Sequence, residues 1–207
     1  MTVLMINGSP HPKGCTYTAL ATVAAQLEKH GIASEIVQIG AKPIAGCIGC
    51  RKCAETGVCI FKDDGVNATI DKLKAADGLV VGSPVYYAGP NAAVCAFLDR
   101  LFFMKSDAYA FKPAACVVNC RRGGASAAFD RLNKYFTINR MPVASSQYWN
   151  STHGFTPEDL QKDQEGLQTM RTLGDNMAWL IRCIAAGRAA GIEPPEPEKW
   201  IPTHFIG

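Results

Sequence analysis

Apolar positions along this chain alternate between short continuous runs and longer stretches with helical spacing. Residues 2–6 (TVLMI) form such a run, as in a parallel strand buried on both faces. The run stops at Asn7-Gly8-Ser9-Pro10, a cluster of turn formers. From Cys15 or Thr16 to about His30 the spacing is helical, with Leu20, Val23, Ala24 and Leu27 on one face and Gly31 at the C′ position. Residues 34–39 (SEIVQI) alternate and predict a second strand. A helix follows over 65–76, with Val66, Ile70 and Leu73 on one stripe, then a third strand over 78–81 (GLVV) ending at Gly82-Ser83-Pro84. A helix over 91–103 carries Val94, Phe97, Leu98 and Leu101. A fourth strand over 113–118 leads to Asn119 and a helix over 125–136. A fifth strand is predicted over 142–146, and a long helix over 165–186.

Strand, loop and helix thus repeat five times, which requires a parallel sheet covered by helices on both faces. The pattern predicts an α/β three-layer sandwich with a five-stranded parallel sheet in the flavodoxin-like order 2-1-3-4-5. Ligands then sit outside the carboxyl ends of the strands, near the switch between strands 1 and 3. The loops after strands 1, 3 and 4 become the ones to read for function. Residues 1–190 are expected to form this domain, with a cysteine-rich loop at 46–60 and an extended tail at 191–207. The tail is too rich in proline to be helical. Its Trp200, Phe205 and Ile206 suggest that it packs against something.

Hydrophobic content of 48% is ordinary for a globular chain of 207 residues, and no apolar run is long enough to cross a bilayer. The net charge of +3 is spread along the chain, so no footprint for nucleic acid or a membrane surface emerges. The start, MTVLMINGSP, has no basic region before its apolar run, which points to a cytoplasmic protein.

That setting changes how the cysteines are read. Cys47, Cys50, Cys53 and Cys59 lie in CIGCRKCAETGVC. A C-x2-C-x2-C run with a fourth cysteine nearby is the usual sign of a four-iron cluster held by four thiolates. A disulfide fits poorly, because the total of nine cysteines is odd and cytosolic disulfides are rare. Zinc also fits poorly, because four-cysteine zinc sites usually split their ligands into two separated pairs. A loop of free thiols is the remaining alternative.

The loop after strand 1 is NGSPHPKGCT, residues 7–16. It matches neither the P-loop nor the G-x-G-x-x-G dinucleotide loop. It opens a helix, whose first amides can bind a phosphate. Ser9 and Thr16 can add hydroxyls and His11 or Lys13 can add charge, although Thr16 could simply cap the helix. After strand 3 comes GSPVYYAGP, where Tyr86 and Tyr87 can flank a flat heterocycle and loop amides can meet its polar edge. Pro90 reads as the first residue of the next helix. After strand 4 comes NCRRGGAS, in which Gly123-Gly124 allows a close backbone approach and Arg121 or Arg122 can face a phosphate or stay solvated.

Together NGSPHPKGCT, GSPVYYAGPNAAVCAFLDR and the Gly123-Gly124 loop resemble the NADPH-dependent FMN reductase family of flavodoxin-like proteins. With the four clustered cysteines between strands 2 and 3, the chain is similar to the iron–sulfur flavoprotein branch, over roughly residues 1–190. The resemblance implies FMN, held at its phosphate by Ser9, His11, Cys15 and Thr16. Pro84, Val85, Tyr86, Tyr87, Ala88 and Gly89 would line the ring edge, and Asn119, Gly123 and Gly124 would close the other side. It also implies a 4Fe-4S cluster on Cys47, Cys50, Cys53 and Cys59, and a homodimer or homotetramer with FMN at a subunit interface. Two departures matter: the family commonly has arginine at the position of His11 and asparagine at that of Cys15. Both changes weaken donors to the phosphate, but backbone amides supply most of its partners.

Among the remaining cysteines, Cys95, Cys116 and Cys183 read as buried small hydrophobes, and Cys120 lies in the third flavin loop. His153 reads as solvated, and Asp63-Asp64 as caps of the next helix. No paired carboxylates or Cys–His dyad stand out, in keeping with chemistry carried by a cofactor. The resulting expectation is an oxidoreductase that moves electrons from NAD(P)H or a ferredoxin-like donor to a small-molecule or protein acceptor. One alternative is a cluster-free NAD(P)H-dependent FMN, quinone or azo reductase. The other is a thiol- or zinc-based redox sensor.

Overall fold

A computed structural model describes residues 1–104, 107–199 and 201–203. The strands are β1 (Thr2–Asn7), β2 (Ala33–Gln38), β3 (Gly78–Tyr86), β4 (Gly89–Pro90), β5 (Ala114–Cys120) and β6 (Ser151–His153). Five of them run parallel in the order β2-β1-β3-β5-β6, and β4 folds back antiparallel onto β3. Chain order of the parallel strands is therefore 2-1-3-4-5, as predicted, with one short antiparallel strand added.

The helices are α1 (Cys15–Lys29), α2 (Lys52–Thr56), α3 (Val66–Ala75), α4 (Ala92–Phe103), α5 (Ala125–Ile138), α6 (Pro157–Leu160) and α7 (Gln164–Ala189). Helices α1 and α7 cover one face, packing Leu20, Val23, Leu173 and Met177 on Val3, Met5, Val80 and Val117. Helices α3, α4 and α5 cover the other, packing Ile70, Phe97, Leu101 and Phe136 on Leu4, Ile6, Leu79, Val81 and Val118. Successive residues of each central strand thus enter opposite cores, which is why these strands read as unbroken apolar runs.

The fifth parallel strand is not where the pattern placed it. Residues 142–146 give only a bridge at Val143, with Ala114 N–H donating to Pro142 O and Ala144 N–H to Ala114 O, both at 2.8 Å. The chain then leaves the sheet and returns as β6 beside Val118–Cys120. The departing sequence, SSQYWN, cannot satisfy its polar groups inside the sheet. Ser146 Oγ instead lies 2.7 Å from both Tyr148 O and Asn150 Oδ1, with its one hydrogen free to go to either, and Asn176 Nδ2 donates to Ser145 O.

Other local expectations are also corrected. Pro90 lies in β4, and Asn91 caps α4 by accepting from Ala93 N–H at 3.0 Å. Thr16 is not a cap: Gly14 holds that position, and Thr16 is buried inside the first turn. Gly65 precedes α3, while Asp64 accepts from Val66 N–H at 3.3 Å and is otherwise committed to Arg100. His153 lies within β6, and its N–H donates to Asp163 Oδ2 at 2.6 Å. Cys116 is buried as expected, Cys95 is half-buried, and Cys183 is exposed on α7. Residues 191–199 are exposed and carry no helix or strand; Trp200, Phe205 and Ile206 lie outside the described residues. Among the described residues no helix is long and apolar enough to cross a membrane.

Candidate functional site

The loop after β1 is fixed by side chains of neighbouring strands. Asn7 Nδ2 donates to Gln38 Oε1 at 2.5 Å, and Gln38 Nε2 donates to Ser9 O at 2.6 Å. Asn7 Oδ1 accepts from Ser9 N–H, and Ser9 Oγ accepts from His11 N–H at 3.1 Å. Gly8 N–H bonds Gly82 O at 2.8 Å, and Asn91 Nδ2 donates to Gly8 O at 2.9 Å. A Cβ on Gly8 would meet Gly82 O and Val94 Cβ at 2.7 Å, so only glycine permits this junction of the first and second loops. No side chain caps the first turn of α1, and no acid lies in it, so its amides face outward with a favourable dipole for an anion.

Within this loop Ser9, Cys15 and Thr16 are buried and His11 is exposed. Thr16 Cγ2 faces the Cα of Gly82, where an added Cβ would be 2.8 Å away. Cys15 is 9% exposed and donates to Gly154 O at 3.7 Å, and burial pushes its thiol up from the usual range. It is a packed thiol rather than an activated one.

In the second loop β3 runs through Pro84 and Val85 to Tyr86, turns at Tyr87-Ala88, and returns at Gly89. Tyr87 and Ala88 have φ of 50° and 59°, the left-handed pair of a type I′ hairpin turn, which glycine and asparagine usually supply. Each residue costs on the order of 1–2 kcal/mol in this conformation. Strain of this kind gathers at ligand-binding turns. Tyr87 projects fully into solvent and Tyr86 is 45% exposed.

The third loop meets the turn through Gly124 (φ 93°), where a Cβ would lie 2.6 Å from Ala88 Cα and 2.9 Å from Val85 Cγ1. Gly123 is open, with nothing within 4 Å of its Cβ position. Asn119 looks inward: its Nδ2 donates to Gly154 O at 3.2 Å and its Oδ1 accepts from Thr152 Oγ1 at 3.0 Å. Gly154 O therefore joins Cys15 and Asn119, tying the first and third loops to the segment after β6. The three loops meet at the carboxyl end of the sheet with Tyr86, Tyr87, His11 and Gly123 on the rim. A hollow of about 680 Å³ lies at the opposite end beside Lys112, Arg140 and residues 193–197, and is open to solvent.

Cys47, Cys50, Cys53 and Cys59 line one depression with Ile48, Ile60, Phe61, Arg100 and Phe103. Cys47 and Cys50 are exposed, and Cys53 and Cys59 half-buried. Burial raises the Cys53 thiol, and the proximity of Cys59, Cys47 and Cys50 raises it further. Cys59 is held at its backbone by Asn67, whose Oδ1 accepts from Cys59 N–H at 2.8 Å and whose Nδ2 donates to Cys59 O at 3.0 Å. Arg100 Nε donates to Cys59 Sγ at 3.2 Å. Burial works against the Arg100 charge, but hydrogen bonds to Asp64 and Cys59 outweigh it and push the guanidinium up. Among the described residues no three His, Cys, Asp or Glu side chains converge where a single ion could sit. A four-iron centre is held by four cysteine thiolates. The donor set, four thiols around one depression beside a buried cation, fits such a group.

The cysteine spacing and the three loops were visible in the sequence. Asp64 was read only as a helix cap, and Asn67, Arg100, Gln38 and Gly154 were not singled out. Arg100 could have been: it is a cation inside AAVCAFLDRLFF, beside the apolar stripe of its helix.

A flavodoxin-like sheet sets its ligand loops at its carboxyl end, and on this frame the family match makes the chain a flavin oxidoreductase. The family model for the NADPH-dependent FMN reductases matches residues 1–156. The chain is 31% identical over 195 residues to an iron–sulfur flavoprotein of Methanocaldococcus jannaschii, covering 89% of this chain and 99% of that one. It is 26% identical over 195 residues to an iron–sulfur flavoprotein of Methanosarcina thermophila, covering 91% and 99%. A flavodoxin, WrbA-like protein from Agrobacterium tumefaciens shares the fold, with TM-score 0.63 and 18% identity over 88% of this chain and 97% of that one. This chain belongs to the NADPH-dependent FMN reductase family, in its iron–sulfur flavoprotein branch.

Proposed function

We propose that this flavin oxidoreductase is an electron-transfer protein carrying both FMN and a 4Fe-4S cluster. In this reading it takes electrons from NAD(P)H or a ferredoxin-like donor and delivers them to a small-molecule or protein acceptor. The bound groups supply the redox chemistry, hydride acceptance at the flavin and single-electron exchange at the iron–sulfur centre.

The chain's own residues bind and orient. The uncapped first turn of α1, with Ser9, His11, Cys15 and Thr16 around it, would receive the phosphate. The strained Tyr87-Ala88 turn, with Pro84, Val85, Tyr86 and Gly89 leading in and out, would support the edge of the flavin ring. Gly123 and Gly124 would close the opposite side, with Asn119 acting through its grip on Gly154. Cys47, Cys50, Cys53 and Cys59 would hold the cluster. Residues 1–190 make the FMN-binding domain and 191–207 a tail. The protein works in the cytoplasm as a homodimer or homotetramer, which would cover Tyr86, Tyr87 and Phe155, all exposed in the single chain.

The observation that carries this reading is the gathering of four thiols around one depression on an FMN reductase fold. The exposure of Cys47 and Cys50 favours a second reading, a cluster-free NAD(P)H-dependent flavin, quinone or azo reductase. Oxygen-free purification followed by assay of iron, acid-labile sulfide, zinc and FMN decides between them. About four iron and four sulfide per chain beside FMN is the expected result. FMN with neither iron nor sulfide selects the cluster-free reductase, and bound zinc selects a thiol-based sensor.

A further inference from the structure

Arg100 is the largest fully buried side chain among the described residues, with 1% of its side chain exposed. A buried guanidinium persists only when its donors are paired. Each of its nitrogens has a partner, and together these span the whole cysteine segment. Nη1 donates to Ala45 O at 3.2 Å, ahead of Cys47, and to Asp64. Nη2 donates to Phe61 O at 3.1 Å and to Asp64 Oδ1 at 3.2 Å. The group also lies 5.0 Å from the centre of the Phe61 ring. Nε is the nitrogen left over, and it points at Cys59 Sγ. Asp64 thus orients the fork so that one N–H and the positive end of the ion pair face one of the four sulfurs.

Resting on the cluster reading above, we propose that Arg100, oriented by Asp64, sets the reduction potential of the centre bound at Cys59. Reduction adds negative charge to an iron–sulfur centre. Hydrogen bonds to its sulfurs and positive charge nearby favour the reduced form and raise the potential. Arg100 supplies both from a site shielded from water, where a charge acts more strongly than at the surface. Asp64 partly offsets the charge while fixing the geometry. A loop staple alone would hold the cysteines together without moving the potential in a direction set by charge.

The test is a redox titration followed by electron paramagnetic resonance on anaerobically purified protein and on Arg100→Gln, Arg100→Lys and Asp64→Asn, each with iron and sulfide content measured. Arg100→Gln removes the Nε–H···S bond and leaves Asp64 unpaired, so the potential should fall. Arg100→Lys keeps the charge but not the fork and should fall less. Asp64→Asn leaves the guanidinium charge uncompensated, so the potential should rise. Opposite shifts in the Arg100→Gln and Asp64→Asn proteins establish the tuning role. If Arg100→Gln fails to fold, the directions of the other two variants decide. Unchanged potentials with full iron, or loss of iron from all three variants with intact far-UV circular dichroism, make Arg100 a staple only and overturn the proposal. Absence of iron and sulfide from the unsubstituted protein is a different failure, that of the cluster reading itself.

Discussion

Gly124→Ala tests whether the meeting of the second and third loops is as tight as the structure has it. The substitution places a methyl 2.6 Å from Ala88 Cα and 2.9 Å from Val85 Cγ1, where carbon atoms prefer about 3.5–4.0 Å. The nearer neighbour is backbone, so no rotamer change relieves it. Overpacking of this kind costs about 1–3 kcal/mol. The φ of 93° adds a left-handed penalty of about 1–2 kcal/mol for a residue with a Cβ. Reduced freedom of the unfolded chain returns about 0.4–1 kcal/mol. The net loss is about 1–5 kcal/mol, centred near 3, against a total stability of about 5–15 kcal/mol for a typical domain. The variant should fold, with a melting temperature about 6–12 °C lower at the central value. Because the methyl pushes on the Tyr87-Ala88 turn, FMN affinity measured by fluorescence quenching should fall at least about tenfold, which is about 1.4 kcal/mol. Gly123→Ala is the internal control, since nothing lies within 4 Å of its Cβ position. It should change stability by less than about 0.5 kcal/mol. Equal damage from the two substitutions, or none from Gly124→Ala, would refute the reasoning.

Ala88→Gly should stabilise the protein by about 0.5–1 kcal/mol, since it relieves a left-handed penalty of about 1–2 kcal/mol at a smaller cost in unfolded-chain entropy; urea unfolding measures it, and a loss of stability counts against strain in the turn. Tyr109 is fully buried, its hydroxyl has no hydrogen-bond partner among the described residues, and burial raises its pKa to about 12. The phenol must stay neutral in the fold but ionises near pH 10 when unfolded, so its contribution is complete below pH 10 and is lost as pH rises toward 12, by up to about 2.7 kcal/mol. Tyr109→Phe should flatten that alkaline loss and gain about 1 kcal/mol at neutral pH; an unchanged alkaline melting profile would contradict this. Asp175 accepts from Gln26 at 2.7 Å and meets His30 at 2.6 Å, and these bonds hold its carboxyl below the usual range. Its stabilising effect is present above the unfolded carboxylate range and lost as pH falls through the depressed value, so Asp175→Asn should show a shallower acid limb in melting curves below about pH 4.

How much could be read from the sequence follows from the kind of signal each feature leaves. The central strands were legible because both their faces are buried, so Val3 to Ile6 and Leu79 to Val81 leave no polar gap. The fifth strand was misplaced because its edge position lets it break: Met141 and Ala144 are buried as a strand start should be, yet the pairing continues only at Ser151. Helix α6 carried its signal in Thr156-Pro157-Glu158-Asp159, a capping box with proline in its first turn, but four residues show no apolar period. The Tyr87-Ala88 turn was hidden because its left-handed backbone has neither glycine nor asparagine to announce it. At the cysteine segment the ligand spacing is local and could be read directly. The grip of Arg100 and Asn67 on Cys59 spans 41 and 8 residues and depends on tertiary placement that periodicity does not encode.

The sharing of each central strand between two cores has a mechanical consequence. Val80 packs toward α1 and α7, while its neighbours Leu79 and Val81 pack toward α3, α4 and α5. Neither half can loosen without bending a backbone on which the other half is seated. The sheet therefore acts as a common keel rather than a partition. The amides of β1, β3 and β5 should exchange with solvent at one common, slow rate, and the helices on opposite sides should melt together although the sheet lies between them.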